Sequence, residues 1–339
     1  MNAISFTLAI PTYNGAQRLP QLLDCLRSQV GTAEFAWEIV IIDNNSQDNT
    51  PEVIRQYQTD WPTAYPLQYY FEPQQGLAFA RQRAIDEAQG TWVGFLDDDN
   101  LPAPDWVAEA YKFAQSYPQA GAFGGQIHGQ FETPPPENFH RIASFLAIRE
   151  RGSKPHLYKP KQLSLPPGAG LVVRKQAWCE TVPRRLQLIG RVNGSTLAGE
   201  DFETLLYLHQ GGWEIWYCPT LHSYHQIPPE RLKQASLRSL IRGCGLCICH
   251  LRLLHARPTE KPLVIARILL GNLRRILRHL LQYRGLVKTD PIAACELEFF
   301  LSSFLSPFYY LQSQWTQKRA NSIEKRRFAN PPYRVNTES

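Results

Sequence analysis

Short apolar runs that end in polar residues alternate with helical segments in the first hundred residues. Residues 4–10 and 37–43 are apolar and lead into Pro-Thr-Tyr-Asn and Asp-Asn-Asn-Ser, and residues 91–97 lead into three aspartates. Amphipathic spacing predicts helices between and after these runs, over 16–29, 51–58 and 77–89. Strands that alternate with helices predict an α/β fold with a mostly parallel sheet. Its ligands should bind beyond the carboxyl ends of the strands, where the polar clusters fall.

The three adjacent carboxylates Asp97, Asp98 and Asp99 follow the third predicted strand directly. They repel one another unless a cation or solvent relieves the charge. Carboxylates at a strand end suit Mg²⁺ or Mn²⁺, which share their remaining positions with water and phosphates. We therefore expect Mn²⁺ or Mg²⁺ here, with Asp99 as the main ligand and Asp98 reaching the metal or a ribose. Asp97 should point back into the fold. A solvated acidic turn is the alternative.

The chain as a whole is large enough for a substantial core, with 339 residues of which 43% are hydrophobic. The N-terminus lacks the pattern of a signal peptide, and no run of about 18 apolar residues predicts a membrane-spanning helix. Seven cysteines without regular spacing fit a reducing cytoplasm. The cluster Cys244, Cys247, Cys249 and His250 could hold a metal, but free thiols on a buried helix are the favoured interpretation.

Charge divides the chain into two regions. Residues 1–230 hold 17 Lys and Arg against 24 Asp and Glu, whereas residues 231–339 hold 19 against 6. A block this basic could meet nucleic acid, an anionic membrane or a phosphorylated substrate. Residues 262–284 place apolar residues on one side of a helix and Arg267, Arg274 and Arg278 on another. This helix could lie in a membrane interface or pack on the rest of the protein, and the sequence leaves both open.

The middle of the chain continues the sheet. The tract 132–137 is a loop, residues 165–173 read as a turn that feeds a strand, and a helix opens near Gly199 before another strand at Trp213. We expect one α/β domain over 1–230. A basic helical region over 231–339 follows.

Five blocks together resemble the family 2 glycosyltransferases, in their order and spacing and over roughly residues 4–225. They are Ile10-Pro-Thr-Tyr-Asn14, the run from Val40 to Thr50 with Asp43 and Asp48, Gly76-Leu-Ala-x-Ala-Arg81, Asp97-Asp-Asp99 and Gly199-Glu-Asp201. The resemblance implies a GT-A catalytic domain over 1–230, with a nucleotide-sugar half over about 1–125 and an acceptor half over about 126–230. It also implies inverting transfer of a sugar from a nucleotide donor to an acceptor hydroxyl. Within the family the chain resembles bacterial exopolysaccharide enzymes, such as those of the cyanobacterial hormogonium polysaccharide type.

The resemblance assigns nucleotide-sugar contacts to five residues, Pro11, Tyr13, Asp43, Arg81 and Asp98. Asp43 can accept the imide N–H of a uracil, and Tyr13 offers a ring face to the base. Alternatively, Asp43 is a turn residue and Tyr13 a packing aromatic. Arg81 could contact the base or the diphosphate. The chain has Gln82 where the family commonly has Asn.

The resemblance also assigns residues for catalysis and the acceptor. Asp201 is the expected base, with Glu200 as a second catalytic candidate, although carboxylates here could also cap a helix, as could Glu203. Gly168, Ala169 and Gly170 would let an acceptor approach the backbone, or would simply form a turn. His225, preferred over His222, could be a further metal ligand or an ordinary structural histidine.

The resulting prediction is a cytoplasmic, metal-dependent inverting glycosyltransferase that uses a nucleotide sugar, preferably a UDP-sugar. Its acceptor would be a polysaccharide or a lipid-linked saccharide, and peripheral contact with the inner face of the membrane through 262–284 stays open. A polyprenyl-phosphate sugar transferase is the alternative. A pyrophosphorylase is disfavoured because residues 11–18 are not a glycine-rich phosphate loop. A non-catalytic binding protein would leave the acidic motifs unexplained, so no nucleic acid is expected.

Overall fold

The structure, a computed structural model, describes residues 3–192 and 197–329. The strands are β1 (Phe6–Thr12), β2 (Trp37–Asp43), β3 (Leu67–Phe71), β4 (Trp92–Phe95), β5 (Asn100–Pro102), β6 (Ala120–Phe131), β7 (His156–Leu157), β8 (Leu171–Arg174) and β9 (Glu214–Ile227). The helices are α1 (Leu19–Arg27), α2 (Thr50–Thr59), α3 (Leu77–Glu87), α4 (Trp106–Ser116), α5 (Lys175–Thr181), α6 (Glu200–Gln210), α7 (Pro229–Leu232), α8 (Gln234–Leu246), α9 (Ile248–Leu254), α10 (Lys261–Tyr283) and α11 (Pro291–Ala329). Short 3₁₀ turns lie at Phe139–Arg141, Ala143–Leu146, Pro160–Gln162 and Arg284–Lys288.

The strands form one mixed sheet in the order β3-β2-β1-β4-β8-β6-β9-β5, and β7 pairs with β9. The pairings among β1, β2, β3 and β4 are parallel, as predicted, and so is β6 with β9. Strands β8, β5 and β7 pair antiparallel with their neighbours. Only residues 96–99 separate β4 from β5, which is too short for a crossover helix. Strand β5 does not pair with β4 and instead lies at the far edge of the sheet, antiparallel to β9.

Helices cover both faces of the sheet, which explains the near-continuous apolar strands. Leu8 and Ile10 of β1 pack into a cluster with residues of α1 and α4, whereas Ala9 packs on the other face with residues of α3 and α6. Successive residues of a strand point to opposite faces, so β1 contributes to both layers of the core.

The helices after residue 230 pack against this core. Leu237 and Ile241 of α8 join a cluster with Phe139, Leu146 and Ile227. Cys247 and Leu251 belong to the cluster on the α3 face of the sheet. The structure has helices α7 to α11 in the region 231–339 that the sequence predicted to be helical, and the first of them begins at Pro229. Residues 330–339 of this region lie outside the described part of the chain. The division into domains at residue 230 stays a prediction.

The cysteine cluster is carried by α8 and α9. Cys247, Cys249 and His250 are buried, and Cys244 is partly buried. Burial raises the pKa of the Cys244 thiol to about 12. In the described ranges, no three His, Cys, Asp or Glu side chains are arranged to hold a metal ion. The arrangement agrees with the favoured interpretation of buried free thiols.

Helix α10 covers the predicted segment 262–284, but its apolar residues are divided between two faces. Ile268 and Ile276 are buried, whereas Leu270, Leu273 and Leu277 are exposed. None of the helices in the described residues is long and apolar enough to cross a membrane.

Candidate active site

A cleft of about 1930 Å³ lies beyond the carboxyl ends of the central strands. It gathers ten of the twelve residues that the sequence predicted for the site, namely Pro11, Tyr13, Arg81, Asp98, Asp99, Gly168, Ala169, Glu200, Asp201 and His225. The other two, Asp43 and Gly170, do not line it. Segments from six separate parts of the chain thus meet where open α/β sheets bind their ligands.

Tyr13 follows β1, and Asp43 is the last residue of the adjacent parallel strand β2. The Tyr13 side chain is 46% exposed, which leaves its ring accessible. Asp43 is buried and accepts hydrogen bonds from the Ser46 backbone N–H at 2.9 Å and from the Tyr69 hydroxyl at 3.0 Å. Burial and the bond to Asp43 raise the pKa of Tyr69 to about 12. The turn geometry of the alternative interpretation is therefore present at Asp43, and its contact with a base stays a prediction.

Arg81 lies buried between two carboxylates. Its guanidinium is 3.6 Å from Asp97 and 3.4 Å from Glu200, and it stacks over Phe95. A Cβ atom at Gly168 would lie 2.2 Å from the Arg81 guanidinium, so only glycine fits there without displacing it. The Gln82 side chain binds two other residues. Its Oε1 accepts from Trp178 Nε1, and its Nε2 donates to Asp86 Oδ1. Arg81 therefore connects the aspartate triplet to the start of α6.

The carboxyl groups beside Arg81 have raised pKa values. Burial raises the pKa of Glu200 to about 7, and the charge of Asp201 adds to this while Arg81 opposes it. Burial also raises the pKa of Asp97, and the charge of Arg81 only partly offsets the effect. An Oδ atom of Asp97 is buried with no hydrogen-bond partner in the described structure. Near neutral pH, Glu200 can therefore hold a proton.

Asp98 is held by residues that precede and open α1. It accepts from the Thr12 hydroxyl at 2.6 Å and from Arg18 Nε and Nη2 at 2.8 and 2.9 Å. The fork-like contact with Arg18 is the bidentate geometry in which guanidinium binds carboxylate most strongly. Sequence reasoning did not select Thr12 or Arg18, because only the fold brings them to the aspartate triplet.

Asp99 lies beside His225 because β5 pairs antiparallel with β9. Asn100 of β5 is in register with His225 of β9, and the Asp99 and His225 side chains approach to 3.4 Å. Arg231 Nη1 lies 2.7 Å from Asp99 and 2.9 Å from His225 Nε2. Burial would raise the pKa of Asp99, but the positive charges of Arg231 and Arg18 hold it well below its usual range.

The donor set at Asp99 fits a divalent cation. His225 Nδ1 donates to the Leu146 carbonyl at 2.7 Å, which leaves the Nε2 lone pair directed toward Asp99 and Arg231. A metal-ligating histidine has this tautomer, with its other nitrogen bound to a carbonyl. A carboxylate and an imidazole suit Mn²⁺. Since no third protein ligand is grouped with them in the described residues, water and phosphate oxygens would complete the shell.

Asp201 lies in the first turn of α6 and lines the cleft. It accepts from the Gly168 backbone N–H at 2.7 Å and from the Phe202 N–H at 2.8 Å. Gly170 has a φ of +72°, so the segment from Gly168 to Gly170 also forms the turn of the alternative interpretation. The contact with Gly168 places the candidate base beside the predicted acceptor segment.

Two alternatives from the sequence lie outside the cleft. Glu203 is fully buried and accepts the backbone N–H groups of Gln187 and Leu188, so it anchors the loop before α6. His222 pairs with His128 at 2.9 Å. Neither side chain lines the cleft.

Sequence reasoning missed the cleft residues that come from outside the recognised blocks. Arg149 is largely buried near Asp201, its Nε has no hydrogen-bond partner among the described residues, and burial lowers its pKa. Arg231 lies six residues after His225, with Pro228 between them. Because proline favours a turn, Pro228 was the sequence signal that the chain could return to the cleft at Arg231. Residues of α8 to α11 also line the cleft, including Cys244, Arg252 and Arg275. The hydrophobic pattern of these helices predicts that they pack against the rest of the protein, but it does not predict that they line the cleft.

Comparisons with known proteins place these features in context. The sequence model of Glycosyl transferase family 2 matches residues 7–177. The chain is 33% identical over 101 residues to Glycosyltransferase AglE of Haloferax volcanii, a match that covers 30% of this chain and 32% of that protein. It is 23% identical over 228 residues to Succinoglycan biosynthesis protein ExoM of Rhizobium meliloti, which covers 65% of this chain and 67% of that protein. The chain thus spans about a third of AglE.

Among solved structures, the fold is similar to Mannosyltransferase PcManGT from Pyrobaculum calidifontis in complex with GDP-Man and Mn²⁺. The TM-score is 0.55 at 18% sequence identity, and the match covers 89% of this chain and 88% of that chain. This likeness concerns the arrangement of helices and strands.

Proposed function

Because this chain belongs to glycosyl transferase family 2, we propose that it transfers a sugar from a nucleotide-sugar donor to an acceptor hydroxyl. The predictions of the family and of its GT-A-like fold are confirmed. The proposed donor is a UDP-sugar, the stereochemical course is inversion, and the acceptor is a polysaccharide or its lipid-linked precursor. The names of AglE and ExoM support a role in glycan biosynthesis.

The observation that carries the proposal is one cleft that holds three kinds of group. An exposed aromatic ring at Tyr13 suits a nucleobase, and Asp99 with His225 suits a divalent metal. Asp201 lies beside Gly168 on the other side, where an acceptor could approach. A donor, a metal-bound diphosphate and a base in one cleft are what inverting sugar transfer requires.

Each group has a defined task in the transfer. Asp201 takes the proton of the acceptor hydroxyl as that oxygen attacks the anomeric carbon from the face opposite the leaving diphosphate. Asp99 and His225 would hold the Mn²⁺ or Mg²⁺ ion, which when bound supplies positive charge for the leaving diphosphate. Arg18 and Arg231 bind the carboxylates of Asp98 and Asp99 and balance their charge until donor binding. Arg81 orients Asp97 and Glu200.

The deciding experiment measures donor hydrolysis and binding by the purified protein with UDP-, GDP- and dTDP-sugars, with and without Mn²⁺. We expect metal-dependent hydrolysis of one donor class. Asp99→Ala should abolish the metal-dependent hydrolysis of the donor, because the carboxylate ligand of the metal is lost. Asp201→Asn should keep nucleotide binding while lowering turnover by about 10² to 10⁴-fold, because the base is lost.

Asp105→Asn is the matched control, since Asp105 is exposed and lies outside the cleft. Its turnover should equal that of the wild type. No response to any donor with any metal would contradict the proposal and favour a non-catalytic binding protein. Transfer that requires a polyprenyl phosphate as acceptor would instead identify the polyprenyl-phosphate sugar transferase.

A further inference from the structure

The outer face of α10 is a row of leucines. Leu263, Leu270, Leu273, Leu277 and Leu281 are 43–75% exposed and recur at three-, four- and seven-residue intervals. The opposite face is buried through Ile268, Asn272, Ile276 and His279. A surface helix normally turns polar residues toward water. A contiguous apolar row of this length indicates a binding surface.

Helix α11, which packs against α10, adds a second exposed row. Leu301, Leu305 and Phe308 are 40–56% exposed and lie four and three residues apart, so they share one side of the helix. We call the leucines of α10 and these three residues the outer apolar rows. Two adjacent helices thus present apolar side chains to the exterior.

The charges beside the leucine row of α10 are all positive. From Lys261 to Thr289 the chain has seven Lys and Arg and no Asp or Glu. Arg267, Arg274 and Arg278 are exposed, and none has an ion-pair partner within the described residues. Unpaired arginines beside exposed leucines are complementary to a surface that is both apolar and anionic.

The same helix forms a wall of the cleft. Arg267 and Arg275 line the cleft, together with Arg252 of α9. Arg267 is also the first of the exposed arginines, so the cleft opens beside the basic edge of α10. Partial burial lowers the pKa of Arg252, and the positive charge of Arg275 adds to this effect. An anionic group entering from this edge would offset these two positive charges.

We propose that the outer apolar rows and the arginines of α10 bind the interfacial region of an anionic lipid bilayer. The leucines enter the boundary of the acyl chains, and Arg274 and Arg278 contact lipid phosphates. The cleft then opens at the membrane surface. If the proposed function is also correct, the acceptor is a lipid-linked saccharide whose phosphate meets Arg252 and Arg275.

A second copy of the chain fits this surface less well. In a symmetric dimer the same patch meets itself, so the arginines of the two copies would lie close together. The segment from Lys261 to Thr289 offers no carboxylate to balance them. An anionic bilayer supplies that charge over the whole surface.

The test is flotation of the full-length protein with vesicles of phosphatidylcholine alone or mixed with phosphatidylglycerol. We expect strong binding to the mixed vesicles. Leu270→Ser with Leu277→Ser should weaken binding to both vesicles by about tenfold or more, because buried apolar area is lost. Arg274→Gln with Arg278→Gln should weaken binding to the mixed vesicles by about fivefold per arginine. Binding to phosphatidylcholine should then change little.

Matched controls carry the same substitutions elsewhere. Val30→Ser and Leu157→Ser remove exposed apolar side chains outside α10 and α11, and Arg185→Gln removes an exposed arginine. All three should bind like the wild type. The substituted leucines and arginines do not line the cleft, so donor hydrolysis without vesicles should be unchanged in both double variants.

Failure of the wild type to float with the mixed vesicles would overturn the inference, as would unchanged flotation of the leucine variant. Self-association that the leucine substitutions abolish, without vesicle binding, would identify a second copy as the occupant. Vesicle binding does not depend on sugar transfer. A protein that floats through these leucines but hydrolyses no donor would contradict only the proposed function.

Discussion

Glu200 and Asp201 are adjacent carboxylates in different surroundings. Glu200 is buried beside Arg81, and its pKa is raised to about 7, mainly by burial. Asp201 faces the cleft and accepts two backbone N–H groups. Two neighbouring carboxyl groups in different environments can have different roles, so that one holds a proton while the other accepts one. We therefore assign the base to Asp201 and a protonatable supporting role to Glu200.

The raised pKa of Glu200 predicts a pH-dependent cost in stability. A carboxyl group with a higher pKa in the folded than in the unfolded state destabilises the fold once the pH exceeds the unfolded value. We expect Glu200→Gln to gain stability relative to the wild type as the pH rises from about 4.5 to 7, by up to about 3 kcal/mol. Urea denaturation of both proteins across this range measures the difference.

The control for this prediction is Glu52→Gln, which removes an exposed carboxylate of α2. Its difference from the wild type should be nearly constant over the same range, because surface pairs contribute little. A constant difference for Glu200→Gln would show that Glu200 titrates alike in the folded and unfolded states.

At the scale of elements, the pairing of β6, β9 and β5 builds the side of the cleft that holds Asp99 and His225. Strand β9 carries His225, and its antiparallel pairing with β5 brings Asp99 alongside. Strand β6 supports β9 from the other side with a register irregularity between Gly124 and Gln126. A bulge of this kind can redirect the following side chains. The position of His225 therefore depends on a close fit between β6 and β9.

Gly125 makes that fit possible. A Cβ atom there would lie 2.0 Å from the Leu221 carbonyl oxygen and 2.6 Å from the Leu221 side chain. We expect Gly125→Ala to separate the strands and to lower the free energy of unfolding by about 1–3 kcal/mol. Urea denaturation measures this loss, and metal-dependent donor hydrolysis should fall with it.

Gly271→Ala is the matched control, since a Cβ at this position of α10 meets no atom within 4 Å. It should stabilise the protein by about 0.5–1 kcal/mol, because alanine favours a helix. A Gly125→Ala variant as stable as the wild type would show that β6 and β9 tolerate a wider spacing.

At the scale of the whole molecule, the C-terminal helices complete the core and the cleft. Leu237 and Ile241 of α8 are buried against Phe139, Leu146 and Ile227, and α8 to α11 supply part of the cleft wall. A chain that ends at Glu230 would expose this apolar cluster. We expect that truncation to lose cooperative thermal unfolding and to aggregate, as measured by calorimetry and size-exclusion chromatography.

A full-length double variant tests the contribution of this packing to stability without removing any part of the chain. Leu237→Ala with Ile241→Ala should lower stability by about 2–5 kcal/mol for each buried residue. Leu270→Ser with Leu277→Ser, on the exposed face of α10, should change stability far less. A truncated protein that unfolds cooperatively would establish residues 1–230 as an independent domain.

The amino-acid sequence by itself determined the local elements and the identity of the blocks. Strand Trp37–Asp43 and helix Lys261–Tyr283 lie within one residue of their predicted bounds, because the spacing of apolar residues reports the type and the length of a regular element. The polar residues after each strand predicted a shared edge, and most of them do line one cleft. These features depend on residues that are close together in the chain, so they can be predicted from a single sequence.

Only the tertiary structure decided which distant residues meet. The contact of Asp99 with His225 and Arg231 spans more than a hundred residues and follows from the pairing of β5 with β9. The sequence also could not tell which apolar residues of α10 face the protein, because isoleucines and leucines share the same periodicity. Packing against α9 and α11 buried the face of α10 with Ile268 and Ile276 and left the leucines outside. Such contacts depend on the geometry of the whole chain, since burial of one face requires a partner that local spacing does not specify.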